Sequence, residues 1–323
     1  MTMILGLCFL PWFLLPYAAL LPYTNERRLY LHTNLIGGIG NRMFIFQSSL
    51  GLSSHTKRSF IVSNSDISLL SEVFDLSLFS PHYTPFRWIF KLSTFDNLSE
   101  EFYNAYSNKL VEEILFSDND VHLTNSYLQH PDYLKHVKKD LKNNAITLKW
   151  NFLPSIMDAA RKTLYGHSRW VGVHLRRFPE NHFVDPTPDV DLVRGAIKNA
   201  LAPLLLEDED VCVIVFSNDI EWARETLLKN GVYRCIKFSD ESEKILGTDW
   251  STNGGRDMAS LTLCHSVVLT GGTFGYFAGL LHEGEGKVYL FEKSPFSGLP
   301  PVVDGDFDRA TLNRGNASDW VLY

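Results

Sequence analysis

Cysteine is scarce in this chain, with four in 323 residues. Cys8 falls in an apolar N-terminal run, which leaves Cys212, Cys235 and Cys264. So small a set excludes a scaffold built on disulfides, and at most one bridge can form among those three. Cysteine also packs well as a small hydrophobe, and packing is the preferred reading of all three. Positive charge is short as well: 30 Lys and Arg stand against 37 Asp and Glu, a formal net charge of −7. Nucleic-acid binders normally carry a basic surplus, so this balance argues against such a partner. A small anionic ligand needs only a few focused cations and stays open. Repeats, low-complexity tracts and zinc-type histidine spacings are missing from the sequence, and no Ser-His-Asp or Cys-His arrangement can be read from it.

Charge is also missing from the first 23 residues, "MTMILGLCFLPWFLLPYAALLPY". About 20 apolar residues span a bilayer as a helix. A cleaved signal peptide would want a basic n-region and a shorter apolar run, and a buried core helix is the third reading. The preferred one is an uncleaved signal-anchor with a short stem over residues 1–28, kinked but not forbidden by Pro11 and Pro16. Arg27 and Arg28 follow the run and by charge bias favour the cytoplasm, so local charge does not set the orientation. Sequons at Asn97 and Asn316 would suit a lumenal domain that carries glycans.

With 45% hydrophobic residues, the chain can bury one large core or two modest ones. In the first half, residues 30–35 read as a strand, 43–52 as a helix, "RSFIVS" as a strand and "VHLTNSYLQHPDYLKH" as an apolar strand ending in polar groups. Residues 69–119 are aromatic and irregular in pattern. The second half is clearer. "RWVGVHL", "VCVIVFS", "CIKFS", "SVVLTGG" and "KVYLFE" read as strands. Helical patterns over 190–206, 221–229, 256–264 and 273–282 separate them. Short apolar runs alternating with helices predict a parallel sheet buried on both faces, a doubly wound α/β domain. Ligands of such sheets gather beyond the carboxyl ends of the strands, where strand order reverses.

Three predicted strand tips carry chemistry. Arg176 and Arg177 end one, Asn218 lies at another, and Gly271, Gly272 and Thr273 form a third. A guanidinium is always charged and its planar fork of donors matches phosphate oxygens. Successive residues of an extended strand point to opposite sides, so only one arginine can face a given ligand. The alternative pairs both with carboxylates such as Glu180 and Asp185. In "GGTFG" the glycines allow a tight turn, and a helix start opened by Thr273 offers free N–H groups to a phosphate. An ordinary glycine turn is the plainer reading. "GGIGN" starts like a dinucleotide fingerprint, but Met43 takes the third glycine position and no acidic residue follows at a fitting distance. Asp-x-Asp triplets begin at Asp118, Asp189, Asp208 and Asp304; none ends a clear apolar strand, so all four are read as solvated carboxylates rather than a metal site.

Three blocks together resemble glycosyltransferase family 11, the α-1,2-fucosyltransferases that use GDP-fucose. "GGIGNRMFIFQSSLGL" is similar to its N-terminal glycine–Asn block, "VGVHLRRF" to its His-x-Arg-Arg motif and "DMASLTLCHSVVLTGGTFGYFAGLL" to its C-terminal block. The resemblance implies a GT-B-like fold of two facing Rossmann-like domains after the membrane segment. It divides the chain into an acceptor-side α/β domain over 29–160 and a GDP-fucose-binding domain over 161–323. It implies a single-pass type II Golgi enzyme with a lumenal catalytic domain. The reaction implied is inverting transfer of fucose from GDP-fucose to the 2-hydroxyl of a galactose-terminated glycan, with no required metal or other cofactor. Carried onto this sequence, Arg176 would clamp the β-phosphate, with Arg177 and Asn218 beside it. His174 and Asp257 would meet the guanine or ribose, and Gly272, Thr273, Phe274 and Gly275 would complete the diphosphate cradle. Gly38, Gly40 and Asn41 would face the fucosyl and acceptor region, and Tyr127 and Gln129 would line the acceptor cleft. One departure stands out: the family continues its motif with Gly-Asp, whereas Phe178 and Pro179 stand here. Glu180 and Asp185 are near enough to replace that aspartate as catalytic carboxylates. A second reading, favoured by the departure, is an inactive membrane-tethered protein that keeps the nucleotide or glycan site.

Overall fold

The computed structural model describes residues 29–77, 79, 83–86, 96–99, 107–124, 126, 128–129, 133, 150–177, 188–207, 210–229, 233–239, 250–291 and 320–323. The N-terminal apolar run, Tyr127, Glu180, Asp185 and Asn316 lie outside these residues. Among the described residues, no helix is long and apolar enough to cross a membrane.

The first half builds a five-stranded parallel sheet. Its strands are β1 (Tyr30–Thr33), β2 (Ser59–Ser63), β4 (Tyr83–Phe86), β5 (Asp96–Ser99) and β6 (Val121–Thr124), in the order β4-β2-β1-β6-β5. Helices α1 (Ile39–His55), α2 (Asn64–Ser71) and α3 (Asn108–Phe116) connect them. A small antiparallel pair, β3 (Phe74–Asp75) with β7 (Asn151–Phe152), lies beside this sheet's connections. α4 (Pro154–Thr163) then leads into the second half, with Pro154 at its first turn, where a missing N–H costs nothing.

The second half is a six-stranded parallel sheet of β8 (Arg169–Leu175), β9 (Val211–Ser217), β10 (Ile236–Phe238), β11 (Ser266–Leu269), β12 (Val288–Leu290) and β13 (Trp320–Leu322). Its order is β10-β9-β8-β11-β12-β13. Helices α5 (Val190–Glu207), α6 (Ile220–Leu228), α7 (Trp250–Leu263) and α8 (Gly272–Leu280) alternate with the strands. Strand order therefore reverses between β8 and β11, which pair directly through Ser266–Val171 to Leu269–His174. The first sheet reverses likewise between β1 and β6. Each reversal opens a crevice at the carboxyl ends of two neighbouring strands.

Burial explains the apolar runs. Val171, Val173, Val213 and Val215 pack beneath α5 and α6 on one face of the second sheet, while Trp170, Ile214, Val267 and Leu269 join the core on the other. That second core is continuous with the first half. Helix α1 is buried nearly all round because it lies between the two sheets, as a helix apolar on every side must. Phe44 of α1 stacks on Tyr276 and meets Phe277 edge-on, both on α8, with ring centroids 5.5 and 4.9 Å apart.

The expected α/β class and parallel sheets hold. α7 starts six residues earlier than its sequence pattern indicated, and α2, α3, α4 and β13 were not read at all. The packing reading of the cysteines needs correction. Cys212, which is fully buried, and Cys235 are bonded as a disulfide, and Cys264 is a free buried thiol. The two cysteines come together because β9 and β10 are parallel neighbours, a relation that no local pattern reveals.

Candidate active site

The second-sheet crevice is built by the tips of β8 and β11. Thr270, just past β11, donates its hydroxyl to the carbonyl of His174 at 3.0 Å and accepts the N–H of Arg176 at 2.9 Å. These bonds hold the two tips side by side and leave the Arg176 side chain at the exposed mouth. His174 is buried, and its Nδ1 lies 2.9 Å from where a Cβ on Gly275 would stand. Only a glycine at the first turn of α8 lets the imidazole approach so closely. Phe274 covers the ring at 5.0 Å between centroids. Burial, helped by the nearby Arg176 charge, pushes the His174 pKa down to about 3, so the ring is neutral at physiological pH.

Helix α8 begins without a side-chain cap. Its first-turn N–H groups have no side-chain cap, and the positive end of its dipole lies at the tip of β11. Arg176 and this helix start are carried by adjacent strands, which is the arrangement expected of an anion site.

The other predicted residues are sorted by which way they point. Arg177 turns to the opposite side of β8. Its guanidinium pairs with Asp219 at 2.7 Å and lies 5.6 Å over the Trp222 ring. Asn218 clamps its backbone, accepting the Arg177 N–H at 2.8 Å and donating to the Arg177 carbonyl at 3.0 Å. Both residues are thereby committed to joining β8 and β9. Asp257 on α7 accepts from Arg256 Nη2 at 3.0 Å and from Ser239 at 3.3 Å, close to the tip of β10.

The glycine loop after β1 reaches this crevice from the other half. Gly40 lies against α8 so tightly that an added Cβ would stand 2.5 Å from the Phe274 nitrogen. Asn41 accepts the hydroxyl proton of Thr273 and the amide proton of Gln129, the latter at 3.0 Å. Loops from both strand-order reversals thus meet at one carboxamide oxygen. Thr273 spends its only proton on Asn41. Gly38 precedes α1 and takes the Arg42 N–H at 3.0 Å. Arg42, not singled out from the sequence, donates to the Gly37 carbonyl at 2.9 Å and pairs with Asp66 at 3.6 Å. Thr270 was also missed, although its place directly before the quoted glycine pair was a usable signal. Asn97 lies on β5, the edge strand of the first sheet.

The family model described as glycosyl transferase family 11 matches residues 7–297. The chain belongs to this family. Among curated family relatives, the bovine (Bos taurus) galactoside 2-alpha-L-fucosyltransferase SEC1 is 25% identical over 288 residues, covering 87% of this chain and 72% of that protein. The mouse (Mus musculus) galactoside alpha-(1,2)-fucosyltransferase 2 is 24% identical over 271 residues, covering 80% and 69%. Among solved structures, a variant of Arabidopsis thaliana FUT1 in complex with GDP superposes with a TM-score of 0.52 at 14% identity, over 83% of this chain and 71% of that one. At that identity the structural likeness speaks for the fold. For the family 11 chain described here, the α/β architecture and the conjunction of Arg176 with the α8 start are its own geometry.

Proposed function

We propose that the protein is a galactoside 2-α-L-fucosyltransferase, moving L-fucose from GDP-fucose to the 2-hydroxyl of a terminal galactoside with inversion at the sugar. One observation carries the reading: in a family 11 chain, the exposed Arg176 and the uncapped start of α8 stand on adjacent strand tips where strand order reverses. Departure of GDP places negative charge on the β-phosphate. A fixed guanidinium and backbone N–H groups stabilise that charge as it develops, the role that a divalent cation fills in other transferases. Neutral His174, held by Gly275 and Phe274, supplies an uncharged wall on the nucleotide side, and Asp257 lies toward the edge formed by β10. The two halves work as facing GT-B-like domains, with Gly40, Asn41 and Gln129 between them on the fucosyl and acceptor side. Glu180 and Asp185 are the carboxylates proposed to take the hydroxyl proton.

A membrane tether over residues 1–28 and a lumenal Golgi location belong to the same proposal. The Cys212–Cys235 bridge supports an oxidising compartment, since disulfides persist there and are rare in the cytosol. The test is incubation of the purified protein with GDP-fucose and a galactoside in the presence of EDTA, with the product linkage determined. An α-1,2-fucosylated product is expected. Another linkage, a strict metal requirement, or GDP binding without turnover would each overturn the reading.

A further inference from the structure

The disulfide lies at the end of the second sheet away from the crevice, and its two sulfurs have unequal surroundings. Cys212 is the second residue of strand β9 and is fully buried, whereas Cys235, just before β10, is partly exposed. His167, in the turn before β8, places Nε2 3.6 Å from the Cys235 sulfur and Nδ1 2.7 Å from Asp210 Oδ1. Asp210 is itself fixed: Oδ2 accepts the Ser168 N–H at 2.9 Å, and its carbonyl accepts the Ser168 hydroxyl at 3.0 Å. The His167 pairing, with the Ser168 bonds, holds the Asp210 carboxyl below the usual carboxylate range. His167 meets Trp170 edge-on at 5.0 Å, and the Lys237 ammonium lies 5.1 Å over the same ring. Arg234 adjoins Cys235 in sequence and is exposed. A bridge serving only as a staple needs no imidazole, and the sulfur His167 bonds belongs to the partly exposed cysteine of the pair.

We propose that Cys235 is a thiol–disulfide exchange site, the sulfur through which a dithiol–disulfide redox partner closes this bridge, with His167 as its proton acceptor and Asp210 as a positioning residue. In the dithiol form, His167 Nε2 takes the proton from Cys235. The thiolate attacks one sulfur of the partner's disulfide, the partner's S–S bond breaks, and the departing thiolate takes the proton from His167. A mixed disulfide now joins Cys235 to the partner. Cys212 then passes its proton to His167 and attacks Cys235. The mixed bond breaks, and the partner's second sulfur leaves and is protonated. Two electrons and two protons have moved from the cysteine pair to the partner, which ends as a dithiol. Burial bars the partner from Cys212, so the order is fixed by access. Closure ties edge strand β10 to β9, and Ser239, immediately beyond β10, bonds Asp257 of α7.

The test uses the Cys212→Ser protein, in which Cys235 keeps its thiol, and oxidised glutathione as the probe. Mixed-disulfide formation at Cys235, followed by peptide mapping, is expected to persist below pH 7. Adding His167→Gln is expected to slow it about tenfold there and move the midpoint of its pH profile toward the ordinary thiol value of about 8.5. Asp210→Asn should shift the same profile part of the way. Identical profiles with and without His167 would overturn the proposal. A second measurement does not depend on the variants folding: native wild-type protein is partly reduced with dithiothreitol and alkylated. Cys235 should be labelled before Cys212; labelling of both only on global unfolding, or of Cys212 first, would overturn it.

Discussion

Two neighbouring arginines illustrate how far a residue's role depends on direction. Arg176 and Arg177 carry the same charge, and strand alternation sends them to opposite sides of β8. Arg176 ends at the mouth of the crevice beside the α8 start, whereas Arg177 is tied to Asp219, Asn218 and Trp222. Arg176→Ala is accordingly expected to lower kcat/KM by about 2.7–4 kcal/mol of transition-state stabilisation, the loss typical of one oxyanion donor. Arg177→Ala removes a half-exposed ion pair, so its cost in stability should stay within about 1 kcal/mol. Its effect on turnover should fall far short of that of Arg176→Ala. Steady-state kinetics and urea denaturation of the two variants check the pair, and equal kinetic losses would refute the assigned directions.

At the scale of elements, the decisive contact is between the starts of two helices. α1 begins in the glycine loop after β1 and α8 in the glycine turn after β11, and Gly40 is what allows them to touch. In Gly40→Ala the new Cβ would meet backbone atoms, the Phe274 nitrogen at 2.5 Å and the Thr273 carbonyl carbon at 2.6 Å, neither of which can swing away. Overpacking of this kind costs about 1–3 kcal/mol, and here it would also part Asn41 from Thr273. A lower denaturation midpoint and weaker GDP binding by calorimetry are expected together; unaltered GDP affinity would contradict the coupling. Legibility in the sequence also varied by element. β8, β9 and β11 were readable because both faces are buried and their runs are continuously apolar. β4 and β5 were not, being four-residue strands at sheet edges with Pro85, Asp96 and Asn97 among their few residues. α3 was missed despite good signals, with Ser107 capping it and Leu110, Val111 and Ile114 on one buried face.

Across the whole molecule, buried imidazoles set the response to acid. His32 on β1 and His122 on β6 pair in register, with ring centroids 4.6 Å apart. Burial, with the neighbouring His122 adding to it, lowers the His32 pKa from 6.5 to about 4, and burial lowers that of His122 as well. His174 falls further, to about 3. A depressed folded-state value means that the unfolded chain binds these protons first. Stability is therefore fully present above about pH 6.5 and declines as pH falls toward 4 for His32 and toward 3 for His174. For His32 and His174 the loss at pH 5.5 relative to pH 8 should be about 1 kcal/mol each. Urea midpoints at the two pH values check this; an unchanged midpoint would place these rings in solvent or beside compensating acids.

Local sequence determined the class of fold in the second half and the chemistry offered at its strand tips. Apolar periodicity, glycine turns and guanidinium groups act over a few residues and can be read one stretch at a time. Tertiary structure alone decided that Arg177 turns to Asp219 and Trp222 while Arg176 stays exposed, and that Asn41 meets Thr273 from 232 positions away. It alone decided as well that Cys212 bonds Cys235. Those relations depend on strand order and on how two sheets share α1, and pairing between distant segments leaves no mark on the periodicity of either.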